Sequence, residues 1–232
     1  MIDREAFNFD GDYGQEYDAV TMVIPGYEHL FLLTQAMFQA QLSGPAHILV
    51  VGCGTGREIA TFAPARPEWR FTAVDPSEAM VNATQALAEQ LGIQDRVTVV
   101  HGVAADLPND LGADAATIIN VMHFLADDGA KEALVRSVAE RVKPNAPVAL
   151  FDVHGDPDAP TFPMLMEAWQ YFMEMRGMTG EWKRRMLNRL DRGIVYVSEE
   201  RILDICASAG LVLQTRYTAG LLYGGWVFTR QV

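Results

Sequence analysis

The sequence predicts an α/β fold: a mostly parallel seven-stranded sheet with helices on both faces, a last strand antiparallel to its neighbour, and a helical cap. Three observations carry that expectation. Short, continuously apolar runs such as "HILVV" (47–51) fit strands buried on both faces. They alternate with segments of helical periodicity, which calls for a parallel sheet with right-handed crossovers. The alternation breaks once, after Pro157, in a stretch rich in Met and aromatics.

Taken in order, "EHLFLLTQAMFQAQL" (28–42) has apolar residues at helical spacing and stops at Ser43-Gly44-Pro45. Strand 47–51 follows, then a helix over 57–63, strand "RFTAV" (70–74), a helix over 77–91 and strand "RVTVV" (96–100). Strand "AATII" (115–119), a helix over 128–142 and strand "PVALFDV" (147–153) complete the alternation. Residues 161–192 read as helices inserted as a cap, so residues 1–232 form a single domain. Ser198, Glu199 and Glu200 open a helix over 198–208 that Gly210 stops. "LVLQTRY" and "LLYGGWVFTR" then form two strands, with Thr218-Ala219-Gly220 as the hairpin between them.

Composition narrows the function. Half of the 232 residues are apolar, enough for a sizeable core without disulfides or metal. A net charge of −12 repels phosphate backbones and anionic lipid headgroups, which disfavours nucleic-acid and membrane partners. Cys53 and Cys206 are the only cysteines, with no Cys/His spacing of a zinc site or redox pair, so no metal is expected. The opening "MIDREAFNFDGDYG" lacks a basic and an apolar leader region, and no apolar run reaches the roughly 20 residues of a membrane span, so a cytoplasmic location is expected.

The stretch "ILVVGCGTGRE" (48–58) carries the chemistry. A glycine-rich turn after a first strand lets a ligand approach the backbone, as dinucleotides, nucleoside triphosphates and S-adenosylmethionine do. The dinucleotide pattern G-x-G-x-x-G meets Arg57 where its third glycine belongs, and a phosphate-binding loop needs a G-K-[ST] ending that is absent. Asp75, 19 residues after Gly56, offers two acceptor oxygens for a ribose.

With Gly52, Gly54 and Gly56 alternating, and Asp75 ending the second strand, the chain resembles the class I S-adenosylmethionine-dependent methyltransferases, a Rossmann-like family, over nearly its whole length. The resemblance implies that Gly52, Cys53, Gly54 and Gly56 pass under the methionine part of the cofactor and that Asp75 holds its ribose. It implies that Pro76, Ser77 and Met80 lie near the adenine, with backbone groups of Val103 and Ala104 holding it where the family often has an acid; Asp106 is the next acid. Asn120, in "IINVMHFL", falls where the family places active-site groups, whereas His123, near an apolar turn, reads as a packed core residue ahead of a catalytic one. The family's acid two positions before the first glycine is replaced by Val50, leaving Glu58 as a candidate for the cofactor's ammonium group.

"VIPGYEHL" and "EWKRRML" are similar to elements of the carboxy-S-adenosylmethionine synthase branch, in which a tyrosine and an arginine contact the cofactor; the matching residues are Tyr27 and Arg184. A guanidinium binds a carboxylate through two parallel bonds, although Lys183, Arg184, Arg185, Arg189 and Arg192 also read as the solvated face of a helix. Six of the 11 methionines lie between 164 and 186, which suits an adaptable pocket for an apolar acceptor, core filling or a homodimer interface.

Two activities follow from the resemblance: methyl transfer from S-adenosylmethionine to a small molecule, or carboxylation of the cofactor's methyl group to carboxy-S-adenosylmethionine. A non-catalytic S-adenosylmethionine-binding module is a third reading. Methyl transfer is an in-line displacement that needs alignment and, for some acceptors, a base. His154, just past the fifth strand, is the leading candidate base, with Tyr27, Asp152 and His123 behind it.

Overall fold

The computed structural model describes residues 6–231. Seven strands form one sheet in the order β3-β2-β1-β4-β5-β7-β6. β1 (His47–Val51), β2 (Arg70–Asp75), β3 (Val97–His101), β4 (Ala115–Ile119) and β5 (Pro147–Val153) run parallel. β6 (Leu211–Gly220) and β7 (Tyr223–Arg230) form a hairpin, and β7 is antiparallel to both β5 and β6.

β1 is buried along its whole length, and its side chains divide between two cores. Ile48 and Val50 face one core with Phe38, Phe62, Trp69 and Trp169. Leu49 and Val51 face the other with Val135, Ile202, Trp226 and Phe228. That period-2 split is why "HILVV" reads as continuously apolar.

α2 (Tyr27–Gln39), α3 (Arg57–Ala65) and α4 (Glu78–Gln90) cover the first side. On the other, α5 (Ala130–Ala139) packs against α8 (Glu199–Ser208). α6 (Phe162–Met175) and α7 (Gly180–Gly193) stand between β5 and α8 in the chain and contribute Trp169, Met173, Met186 and Leu190 to the first core. No helix among the described residues is long and apolar enough to cross a membrane.

Two expectations need correction. β6 continues through Thr218, Ala219 and Gly220, each paired with β7, so the hairpin turns at Leu221-Leu222, with Leu221 at φ 52°. The second is α1 (Asp12–Thr21), a helix in the acidic opening segment where none was expected. Its buried side chains are Tyr13, Val20 and Thr21, and its remaining polar residues obscured the periodicity.

Candidate active site

β1 and β4 are neighbours whose chain connections leave in opposite directions along the sheet, the switch point at which open α/β sheets bind ligands beyond their carboxyl ends. The glycine turn leaves β1 there. Gly52 has φ 68°, and a Cβ on it would come within 2.3 Å of Val121 Cγ2. Gly56 has φ 80°, and a Cβ would meet Leu87 Cδ2 at 2.6 Å. Both need glycine for conformation and space. The amides of Gly52 and Cys53 donate to the carbonyl of Val74 at 2.9 and 3.2 Å, tying the turn to β2. Cys53 is buried, its thiol pushed up to about 12 by burial.

Asp75 ends β2 beside this turn. Its Oδ2 accepts from the Gly54 amide at 2.9 Å and its Oδ1 from the Ser77 amide at 2.9 Å. Each oxygen keeps acceptor capacity for a further donor, so the carboxylate is oriented yet able to take two ribose hydroxyls. Burial raises its pKa. Met80 is buried in the first turn of α4, while Pro76 is exposed and its carbonyl accepts from His101 Nε2 at 2.9 Å.

Around the expected adenine position, the Val103 amide already donates to Asp106 Oδ2 at 2.8 Å. Asp106 therefore caps a turn, and Val103 offers a side chain that is 48 % exposed rather than a free amide. Ala104 is buried in the second core.

Asn120, one residue past β4, is held at φ 56° and donates its amide to the Phe151 carbonyl at 2.8 Å. Both polar atoms of its side chain are buried without a partner. An orphaned buried amide costs stability, and a non-glycine residue in the left-handed region adds strain, a combination found at ligand sites.

Glu58 lies near Val50. Val50 pairs with Thr117 across β1 and β4, and Glu58 Oε1 lies 3.4 Å from Thr117 Oγ1. α3 thus delivers a buried carboxylate beside the sheet position where the acid is missing. Burial pushes its pKa up to about 7.

Tyr27, the first residue of α2, is buried with the Arg57 guanidinium 6.0 Å above its ring. Burial pushes its hydroxyl up to about 12, too high for a base near neutrality. Arg184 is exposed on α7, outside the open cavity of about 520 Å³ that Arg185, Arg189 and Arg192 border. His154 is likewise not brought to the cleft. It packs edge-on to Trp226, of the second core, and its Nε2 lies 3.2 Å from the Arg216 guanidinium. Burial and that positive charge lower its pKa.

A feature unforeseen in the sequence roofs the site. Phe7, Phe9, Tyr13 and Tyr17 cluster edge-to-face with one another and with Phe124. The Tyr17 ring lies over Gly54, Thr55 Oγ1 donates to Asp18 at 2.9 Å, and Asp10 accepts from Ser77 Oγ and the Ala79 amide at the start of α4. The cap holds this segment down: Trp169 Nε1 donates to the Val23 carbonyl at 2.9 Å, and Arg185 and Arg189 pair with Glu16. Tyr13 and Tyr17, four apart, were the available signal. Beneath the roof lies an apolar cleft bordered by Phe7, Tyr13, Phe124, Trp169, Met186 and Tyr223, with Asn120 and His123 at its floor and only about 30 Å³ of free space.

A family model described as a methyltransferase domain matches residues 49–148. The chain is 27% identical over 177 residues to the demethylmenaquinone methyltransferase of Lactiplantibacillus plantarum, covering 74% of this chain and 72% of that protein. Among solved structures, the 1,6-didemethyltoxoflavin-N1-methyltransferase of Burkholderia thailandensis superposes with a TM-score of 0.61 at 18% identity, over 94% of this chain and 90% of that one. The [4+2]-cyclase SpnF superposes with a TM-score of 0.65 at 15% identity, over 89% and 81%. At such identities the structural matches establish the fold alone.

Proposed function

We propose that this protein, an S-adenosylmethionine-dependent methyltransferase by its matched domain, methylates a small aromatic or apolar acceptor in the cleft beneath α1, α6 and α7. The observation that carries the reading is Asn120, whose buried amide has no partner and points its hydrogen-bonding capacity at the switch point. The cofactor supplies an electrophilic methyl on a sulfonium; the protein's residues bind, align and exclude water.

Asp75 takes the ribose hydroxyls, Glu58 receives the ammonium group in place of an acid at Val50, and Met80 and Val103 supply apolar contact to the adenine. Gly52, Cys53, Gly54 and Gly56 form the floor, Tyr27 packs beside Glu58, and Asn120 bonds at the cofactor–acceptor boundary. Six aromatic side chains and Met186 around the cleft favour a flat apolar acceptor. Two similar proteins are named for small organic acceptors, demethylmenaquinone and 1,6-didemethyltoxoflavin. Carboxylation of the cofactor is the weaker reading, because it calls on Arg184 to hold a carboxylate and that side chain is exposed outside the cleft.

The test is to identify the nucleoside released from the purified, denatured protein by mass spectrometry, with calorimetry of S-adenosylmethionine binding and a panel of hydroxylated and aminated aromatics. The expected result is S-adenosylmethionine or S-adenosylhomocysteine, with S-adenosylhomocysteine accumulating on an acceptor. Released carboxy-S-adenosylmethionine would favour the synthase; binding without turnover on any acceptor would favour a binding module.

A further inference from the structure

A histidine and an aspartate meet where β4 and β5 end. His123 lies in the short 3-10 turn Met122–Phe124 after β4, and its Nδ1 hydrogen-bonds to Oδ1 of Asp152 in β5. Asp152 is fully buried. Its Oδ2 accepts from the amides of Met122 at 2.8 Å and His123 at 3.3 Å, and its Oδ1 also accepts from the Val153 amide at 2.8 Å. With three amides aimed at the two oxygens, the carboxylate acts as acceptor toward the ring, which puts the imidazole proton on Nδ1 and a lone pair on Nε2.

Nε2 makes no hydrogen bond among the described residues, and the ring borders the apolar cleft beside Asn120. The turn that carries it is clamped. The buried Lys131 Nζ donates to the Met122 carbonyl at 2.8 Å and the Val195 carbonyl at 3.3 Å, and the Val195 amide donates to the His123 carbonyl at 2.9 Å. The Phe124 ring, 4.0 Å away between centroids, fixes the imidazole from the side. A nitrogen base oriented by a buried carboxylate, with its second nitrogen open to the substrate cleft, is the geometry of acid–base catalysis. His154, whose Nε2 already faces the Arg216 guanidinium, lacks it.

We infer that His123 is the general base of the methyl transfer, that Asp152 is its positioning residue, and that the acceptor is therefore an un-ionised O–H or N–H on an aromatic molecule. The inference rests on the methyl-transfer reading above. In the step, the acceptor heteroatom's lone pair forms a bond to the methyl carbon. The carbon–sulfur bond breaks with its pair returning to sulfur, giving the neutral thioether S-adenosylhomocysteine. The acceptor's proton passes to His123 Nε2 and from there to solvent.

The experiment compares wild type with His123→Gln, Asp152→Asn and His154→Gln. Gln at 123 retains an N–H donor for Asp152. Expected for His123→Gln is S-adenosylmethionine affinity within about threefold of wild type and a kcat lower by about 100- to 10,000-fold. His154→Gln should change kcat less than about threefold. The wild-type kcat should fall at low pH, as for a reaction that runs through a general base such as His123. The other titratable groups facing it are Asp152 of β5, Lys131 of α5, Tyr13 and Tyr17 of α1, and Tyr223 of β7. Loss of the low-pH limb in a folded Asp152→Asn would mark positioning, since a structural role alone lowers rate at every pH.

Turnover retained in His123→Gln overturns the inference. If wild type turns over no acceptor on the panel, the acceptor reading fails, and nitrogen-15 imidazole spectra of the wild type with S-adenosylhomocysteine and phenol still decide the base. An Nδ1-protonated His123 whose Nε2 signal shifts with phenol supports it. An Nε2-protonated ring, or no response to phenol, overturns it.

Discussion

The floor and the roof of the site are held by different forces. The floor, from Gly52 to Asp75, is fixed by main-chain geometry: left-handed glycines, amides on the Val74 carbonyl, and one carboxylate bridging the Gly54 and Ser77 amides. The roof, from α1, α6 and α7, is held by aromatic edges, one buried indole bond and exposed ion pairs. Main-chain bonds near a strand end are stiff and local, whereas side-chain contacts between distant segments open at lower cost. With only about 30 Å³ free beneath it, the roof is the part that has to shift when an acceptor enters.

The largest effect should come from breaking the floor. Asp75→Asn turns one acceptor oxygen into a donor facing either the Gly54 or the Ser77 amide and removes the charge that ribose hydroxyls bond to. S-adenosylmethionine affinity, read by calorimetry, should fall by about 100-fold, the equivalent of one or two charge-assisted bonds. A loss below about threefold would mean that the ribose is held elsewhere. Gly52→Ala should lower thermal stability by about 2 kcal/mol or more, because the added carbon meets Val121 and the backbone stays left-handed.

Glu58 sharpens the comparison, since it belongs to the floor yet opposes stability. Folding raises its pKa from an ordinary 4.5 to about 7 through burial. The folded state therefore holds an extra proton between those values, and stability present below pH 4.5 is lost as pH rises through 7, by on the order of 3 kcal/mol. Glu58→Gln should flatten that decline and melt higher than wild type at pH 8. An ammonium group binds the ionised acid, so wild-type affinity for S-adenosylmethionine should be about tenfold weaker at pH 6 than at pH 8, and the dependence should vanish in Glu58→Gln. A variant that gains stability without losing affinity would remove Glu58 from the cofactor site.

The floor was legible because its constraints are local. Alternating glycines, an apolar strand and an acid after the next strand lie within about thirty residues, and each has a backbone reason. The roof was not, because Trp169 meets Val23 across 146 positions, a pairing that no periodicity encodes. The same limit explains the base. His123 and Asp152 are 29 residues apart on neighbouring strand ends, so an isolated histidine near an apolar turn read as core until the sheet order brought the two together. His154 had the right position along the chain, but its ring packs on Trp226 of the second core and its Nε2 meets the Arg216 guanidinium instead of the cleft.

Smaller effects belong to the roof, and they separate its two kinds of attachment. Trp169→Phe keeps an aromatic ring against Tyr223 but loses the bond to the Val23 carbonyl, worth about 1 kcal/mol, so amides of α1 should exchange with deuterium about fivefold faster. Glu16→Gln removes the charge facing both Arg185 and Arg189, yet these pairs are partly exposed and screened, so exchange should change less than about twofold and less still in high salt. Because that indole ties the cap to the chain just after α1, Trp169→Phe should raise the acceptor KM and leave S-adenosylmethionine affinity within about twofold. If Glu16→Gln instead loosened α1 more than Trp169→Phe does, the roof would be latched by charge rather than by packing, and acceptor entry would depend on ionic strength.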